Sequence, residues 1–323
     1  MTTASTVTQR LIPGGKLYFD LFDANLAKTG ERYLGLTPGF TISIASEKIQ
    51  SYSAETGLQQ LDDETLVKIT RTGKMTVRQI SMENLGMFLA GQAATAAQAS
   101  ASVTNEAISI LADRYYQLGA LTANPSGVRS VSAVTITTAA VSAAATSTAY
   151  AVGAQVKQAS SPTHIYQCTT AGTSGGSAPT WPTTIGATVT DGTAVWTCIS
   201  IITLVEDTDY SVDLTMGRIY ILPTARVSGT YAVACLAAYT KSAVSREQLL
   251  TSGVADVYGA LRFIASNAKG TNRDIFAPNV LLAPSGEIVV KADSPAYAEL
   301  SFDLSFNVGA NAVPALIIDG RAV

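Results

Sequence analysis

Residues 299–309 read "ELSFDLSFNVG". Leu300, Phe302, Leu304, Phe306 and Val308 alternate with Glu299, Ser301, Asp303, Ser305 and Asn307. A side-chain period of two marks a strand with one face in a core and the other in water. The same period returns near the other end of the chain. In "GGKLYFDLFD" (14–23), Leu17, Phe19 and Leu21 point one way and Lys16, Tyr18 and Asp20 the other. In "GFTISIASEKI" (39–49), Phe40, Ile42 and Ile44 are inward candidates, with Thr41, Ser43 and Ala45 outward. "LVKITRTGKMTVRQI" (66–80) reads as one long strand, bulged or bent at Gly73. Between these two lies an acidic stretch, "SAETGLQQLDDET" (53–65), that reads as a loop.

"SMENLGMFLAG" (81–91) breaks the pattern. Ser81 is a candidate N-cap, Leu85, Phe88 and Leu89 form a helical face, and Gly91 can close a helix of about three turns. From Gln92 the sequence is rich in Ala, Gln and Ser. It reads as an exposed loop or as a weak helical extension through "NEAISILADRYYQLG" (105–119). Strand patterns resume in "GVRSVSAVTIT" (127–137), the hairpin-like "DYSVDLTMGRIYIL" (209–222), "GTYAVACLAAYT" (229–240), "VYGALRFIAS" (257–266) and "NVLLAPSGEIVVKAD" (279–293). The expected fold class is mainly β, with one flanking helix.

Composition narrows the function classes. Hydrophobic residues make up 47% of the chain and charged residues 14%, enough apolar matter for a packed core. A net charge of −3 argues against a surface built to neutralise nucleic-acid phosphates. No apolar run approaches the roughly 20 residues of a membrane helix, so no membrane insertion is expected. "MTTASTVTQRLIPGG" (1–15) has no apolar h-region, so no secretory signal is expected, and its first dozen residues read as a flexible segment. The 3 cysteines form no CxxC pair.

Catalytic patterns are weak. Gly172-Thr173-Ser174-Gly175-Gly176 matches G-x-S-x-G, but no helix pattern follows and the single histidine, His164, lies upstream. A turn is the better reading. "RTGKMT" (71–76) lacks the first glycine of a P-loop, and Asp207 and Asp209 lack the glycine and terminal Glu of a calcium loop. The carboxylates of "LDDET" have no apolar wall to raise a pKa. No enzyme activity, metal or cofactor is expected.

The order and texture of several segments carry a resemblance. "GGKLYFDLFDANLAKTGERYLGLTPGFTISIASEKIQSYSAETGL" (14–58) followed by "GKMTVRQISMENLGMFLAG" (73–91) resembles the N-terminal half of the major tail tube proteins of long-tailed bacteriophages. "DTDYSVDLTMGRIYI" (207–221) and "GALRFIASNAKGTNRDIFAPNVLLAPSGEIVVK" (259–291) are similar to that family's second half. The resemblance covers roughly residues 11–127 and 204–308 and rests on no single diagnostic motif. It implies a β-sandwich or barrel-like subunit, six to a ring, whose inner strands form a continuous β-barrel, with rings stacked into a tube that conducts double-stranded DNA during ejection. It implies a virion protein assembled in the host cytoplasm, with partners in further copies of itself and in the tape-measure, terminator and distal tail proteins. The polar-face residues Asp20, Thr41, Ser43, Ser301, Asp303 and Ser305 are then lumen candidates. Lys16, Lys68, Arg71 and Arg78 oppose a phosphate-repelling lumen and are expected beside carboxylates at subunit seams. Glu55, Leu58, Leu61, Asp62 and Asp63, in the stretch 51–65, are candidates for inter-ring or inter-subunit contact.

The family pattern stops near Thr138 and resumes near Leu204. The expected division is a discontinuous tube domain, 1–138 and 204–323, with a small β domain, 139–203, inserted and projecting outward. "AYAVGAQV" (149–156), "THIYQC" (163–168) and "AVWTC" (194–198) read as its strands. Tyr150, Tyr166, Trp181 and Trp196 supply the large side chains that so small a core needs. Cys168 and Cys198 occupy similar strand-end positions, as a disulfide pair or as two buried thiols. The spacing of Tyr, Cys, Gly-Thr-Ser-Gly, Trp and Asp-Gly-Thr resembles small carbohydrate-binding modules of chitinases. That implies host-surface glycans as ligands, stacked on Tyr166, Trp181 and Trp196; core duty for both tryptophans is the competing reading. Two alternative functions stand beside the tail tube: a carbohydrate-binding adhesin on a β-scaffold, and the tube protein of a contractile secretion device.

Overall fold

The structure, a computed structural model, describes residues 10–320 apart from 24, 54, 56, 139–140, 161 and 252–255. The N-terminal segment expected to be flexible lies largely outside the described residues. The chain is mainly β and sandwich-like, as its alternation predicts. It divides into two compact units, 1–95 with 247–323, and 96–246.

The first unit opens with β1 (Gly15–Leu21), β2 (Arg32–Tyr33), β3 (Gly39–Ser53), β4 (Gln60–Val77) and α1 (Met82–Phe88). The chain leaves along β5 (Gln92–Gln98). The second unit holds β6 (Ala101–Ile110), β7 (Arg114–Gln117), β8 (Val131–Thr137), β9 (Ala149–Tyr150), β10 (Gln155–Lys157) and β11 (His164–Thr170). It continues with β12 (Gly172–Thr173), β13 (Thr188–Asp191), β14 (Ala194–Ile201), β15 (Tyr210–Asp213), β16 (Arg218–Ile221) and β17 (Val233–Lys241). The chain returns along β18 (Val244–Leu250), which pairs with β5, to β19 (Val257–Ala265), β20 (Arg273–Ser285), β21 (Leu300–Phe306) and β22 (Ile317–Gly320).

The first unit is built on an 8-stranded sheet in the order β2-β1-β19-β20-β21-β4-β3, with β22 pairing β20. Its inward positions are largely those the alternation marks: Leu17, Phe19, Leu300, Phe302, Leu304 and Phe306 are buried in one core, while Leu21, expected inward at the end of β1, is exposed. Val308, past the end of β21, is exposed. The sheet curls until Phe40 on edge strand β3 meets Phe263 on β19, ring centroids 5.8 Å apart. The described strands nevertheless close no barrel. A groove of about 1020 Å³, lined by Leu11, Leu17, Phe40, Phe263 and Arg273 among others, lies on that side of the curl.

Helix α1 covers part of the core and is shorter than expected. Ser81 caps it, its hydroxyl accepting from the Asn84 N–H at 3.2 Å. Phe88 packs edge-on against Phe302, but Leu89 is exposed. The helix is held instead by buried Asn84. Its Nδ2 donates to the carbonyls of Leu34 and Gln79 at 3.0 and 2.8 Å, and its Oδ1 accepts from Arg32. Residues 92–118, expected as loop or helix, contain β5, β6 and β7. The Ala, Ser and Thr side chains of β5 and β6 carry little hydrophobic contrast, β7 is only four residues long, and cross-strand pairing decides the conformation.

The second unit wraps 3 sheets around one core containing Ile110, Val134, Ile136, Ile165, Ile199, Ile219 and Cys235: β6-β17-β8, β15-β16-β7 and β10-β11-β14-β13. The expected boundaries at 138/139 and 203/204 therefore do not coincide with the division into units. Ile165 and Ile199, inside the proposed insert, belong to the larger core. Within it the segment 139–203 does have a second, smaller core of Val156, Tyr166, Cys168, Ala194, Trp196 and Cys198. Its expected strands pair as read, β10 with β11 and β11 with β14. Gly192, at φ +62°, and Thr193 turn β13 into β14.

Candidate functional site

The most unusual feature lies where strands β3 and β4 outrun their sheet. Their register is antiparallel from Gly39↔Thr76 to Ser53↔Gln60, with bulges that leave Val67 and Asp62 as extra residues. The bulges are not at Gly73, which keeps a regular partner on each side, Ile42 and Leu304. Gly73 is required by packing: a Cβ there would lie 2.6 Å from the Thr41 carbonyl oxygen and 2.9 Å from the Phe306 ring. The segment expected as an acidic loop, 51–65, is mostly strand, so Leu61, Asp62 and Asp63 sit on β4, and Glu55 and Leu58 lie in the short tip. All five side chains are exposed.

The inner row of this hairpin runs Ile42, Ile44, Ser46, Lys48, Gln50, Tyr52 on β3, facing Gly73, Arg71, Ile69, Leu66, Glu64, Leu61 on β4. Near the sheet, Ile42 packs on the core. Beyond it, the same row leaves Ile44 68%, Leu66 50%, Ile69 46% and Leu61 51% exposed. Ile44, expected inward, has no core above it. Lys48 pairs with Glu64, and Gln50 bridges Glu64 and Tyr52 at 2.8 and 2.9 Å. Burial is thus abandoned while pairing continues. β3 is also the sheet's edge: among the described residues its other side has no partner strand over 15 residues. A long, apolar, unpaired edge is a template for another chain, and a two-stranded ribbon in water is marginal without one.

The opposite face of the sheet is polar. Cross-strand rows run Thr41–Lys74–Asp303–Ala283, Ser43–Thr72–Ser305–Leu281 and Gly39–Thr76–Ser301–Ser285. Five of the six lumen candidates, Thr41, Ser43, Ser301, Asp303 and Ser305, therefore share one face. Asp20 does not serve there. It is 4% exposed, and its Oδ1 accepts the N–H groups of Thr29 and Gly30 at 2.9 and 2.7 Å. The loop it anchors covers it, which overrides its outward position in the alternation. Of the four cations expected at subunit seams, two meet carboxylates within the chain: Arg78 with Glu299 at 2.6 Å and Lys68 with Glu47 at 3.8 Å, while Arg71 forms no ion pair among the described residues; Lys74, outside that set, lies 3.7 Å from Asp303. Lys16 sits over the Tyr33 ring.

The glycan candidates fare differently. Tyr166 and Trp196 are wholly buried, so neither offers a ring face to a sugar. Tyr166 packs at a tilt against half-buried Trp181, centroids 4.4 Å apart, and Trp196 meets Tyr150 edge-on at 4.8 Å. Trp196 is core, and Trp181 packs against that core with part of its surface open. Cys168 and Cys198 are free, buried thiols, and burial pushes Cys198 up to about 11. The Ser174 hydroxyl is engaged with backbone, accepting from Thr148 N–H and donating to the Ala145 carbonyl, both in a turn. No cluster of three metal-ligating side chains exists among the described residues.

Residues missed by the sequence reading include Asp209. Buried, it accepts from Arg226 Nε and Nη2 at 3.0 and 2.7 Å and from the Val205 and Arg226 backbone N–H groups. The sequence set it beside Asp207 in a D-x-D pattern without the marks of a calcium loop, and nothing in that pattern announces the pairing with Arg226.

A family model described as protein of unknown function UCP028589 matches residues 11–167, less than half of the 323-residue chain. The chain is similar to that family from the start of the first unit through β11. No curated protein matches it.

Proposed function

We propose that the chain is a structural subunit that completes itself with copies of its own kind. The exposed inner row and the open edge of β3 are covered by neighbours, rings close, and rings stack into a hollow tube. The single observation that supports this is the hairpin, which keeps apolar side chains in register with the core while exposing them to water. Burying one such side chain is worth about 1.5–3 kcal/mol, and an obligate interface of about 2,000–5,000 Å² collects many of them.

With the resemblance described above, the tube is the tail tube of a long-tailed bacteriophage, built of six-subunit rings and conducting double-stranded DNA. The polar face rich in Ser and Thr, its one Lys–Asp pair internally neutral, is the lumen surface. It offers DNA neither a cationic track nor an apolar wall. Other tail proteins cap the tube ends.

Negative-stain microscopy and mass photometry of the purified chain test this reading. Rings or hollow tubes are the expected result. A stable monomer across all concentrations and salts overturns it. Removing residues 52–64 should yield folded, non-polymerising monomers; normal tubes from that variant would rule out the hairpin as the contact.

A further inference from the structure

We infer that the turn at Asn124–Arg129 in the second unit, with Arg129, Arg246 and Arg218 around it, is a binding site for a phosphate group. The inference stands apart from the tube reading.

The turn gathers guanidinium groups in excess of carboxylates. Arg129 is fixed at its backbone by Gln98, which donates to the Arg129 carbonyl and accepts its N–H at 2.7 and 3.0 Å. Its Nη1 is spent on the carbonyls of Ser126, Val128 and Met216 at 2.7, 3.0 and 3.3 Å. Arg246 reaches the same turn with Nη2, to Ser126 Oγ at 2.9 Å, Gly127 O at 3.3 Å and Asn124 Oδ1 at 3.4 Å. Arg218 lies two residues past Met216, its guanidinium 4.8 Å from the centroid of the Tyr115 ring. None of the three forms an ion pair among the described residues.

The donors are therefore divided in two. One nitrogen of Arg129 anchors that side chain to backbone carbonyls, and one of Arg246 anchors it to the Ser126 and Asn124 side chains and the Gly127 carbonyl. The remaining forked N–H groups, and all those of Arg218, have no protein acceptor among the described residues. Asp213 is the acidic group facing Arg129, and its Oδ1 already accepts the Met216 N–H at 2.9 Å. Three positive charges against one negative leave the cluster about two charges in excess. Burial, then repulsion from Arg246 and Arg218, lowers the Arg129 pKa. Forks held rigid and left unpaired suit an acceptor with several oxygens. A phosphate offers three or more, a carboxylate only two.

The test is calorimetric titration of the full chain with inorganic phosphate, at constant ionic strength against a chloride blank, and separately with a short DNA duplex. Saturable phosphate binding, weakened about tenfold or more in Arg129→Gln and again in Arg246→Gln, supports the site. Duplex binding lost in the same variants identifies a polymer source for the phosphate; phosphate binding without duplex binding identifies a small anion. Either result upholds the inference. Absence of saturable binding to both, or binding unchanged in a folded triple Gln variant, overturns it. Circular dichroism and the Arg129→Lys variant, which keeps the charge but not the fork, separate misfolding from loss of the site.

Discussion

The segment 139–203 and the β3–β4 hairpin use large side chains in opposite ways. In the first, Tyr166 and Trp196 are wholly buried, and Tyr150 and Trp181 pack around them. In the second, Ile44, Ile69, Leu66 and Leu61 stand in water on paired strands. Both are β-structure, and both are rich in residues that strands favour. The difference is whether the chain supplies the opposing layer. The aromatic segment folds back on itself through β10, β11, β14 and β13 and shares a core with the rest of its unit. The hairpin runs beyond any layer of its own unit. One region is finished within the chain; the other, on the proposed reading, is finished by a further copy of it.

The largest effect should come from breaking the self-sufficient region. Trp196→Ala removes the centre of the small core and should cost about 3–5 kcal/mol. Trp181, then the only tryptophan left, reports the loss in a denaturant titration followed by fluorescence. A cost under about 1 kcal/mol would show that the segment does not depend on its aromatics.

Next comes the buried carboxylate of the same unit. Asp209→Ala should cost about 3 kcal/mol, because it strands the Arg226 side chain and two backbone N–H groups. Burial alone would raise the Asp209 pKa. The hydrogen bonds from Arg226, then those from the backbone, outweigh it and hold the carboxylate below the usual aspartate range. A depressed folded pKa gives stability that is complete above the unfolded value and fades as pH falls through the folded one. Wild-type denaturation midpoints should therefore drop below about pH 4, and Asp209→Asn should show a shallower drop over that range. Parallel acid profiles would remove Asp209 from the account.

The hairpin should respond in the reverse sense. Ile44→Ser, Leu66→Ser and Ile69→Ser should each change monomer stability by less than about 0.5 kcal/mol. Each should raise the concentration needed for assembly about tenfold or more, by sedimentation or light scattering, since about 1.5–3 kcal/mol of burial is lost per copy. Loss of monomer stability without an effect on assembly would mean that the row packs within its own chain.

The same contrast explains what the sequence disclosed. Strict alternation in β1 and β21 gave their inward faces, because those strands lie over one core. The pairing of β10, β11 and β14 was legible because rare aromatics mark the strands. Alternation failed wherever the second layer was absent or local. Ile44 follows the inward pattern into open water. Asp20 follows the outward pattern and is covered by a loop that its own carboxylate organises. Sequence periodicity reports which residues share a face; it does not report what, if anything, lies against that face. The small-residue strands β5 and β6 carried no period at all. Strand alternation placed Thr41, Ser43, Ser301, Asp303 and Ser305 on one face, whereas aromatic spacing alone left sugar contact and core duty both open for Trp196, since spacing does not reveal depth. The arginines around Asn124–Arg129 come from separate strands and loops, and only folding brings them to one turn.

The smallest effect concerns the polar face. Lys74 and Asp303 are both well exposed and 3.7 Å apart, so Asp303→Asn should change stability by less than about 0.5 kcal/mol. Its value lies in what it leaves behind: an unmatched lysine in the middle of a Ser/Thr surface. On an outer wall that charge would be screened within about 10 Å by salt and would have no consequence. Facing DNA inside a tube, it would be repeated in every subunit and meet about one phosphate per 1.7 Å of duplex axis. Asp303→Asn, and more strongly Asp303→Lys, should thus leave tubes intact while slowing DNA ejection, more at low salt than at high. Ejection at the wild-type rate in well-formed tubes would move this face to the outside and leave the hairpin as the only surface with an assigned role in the assembly.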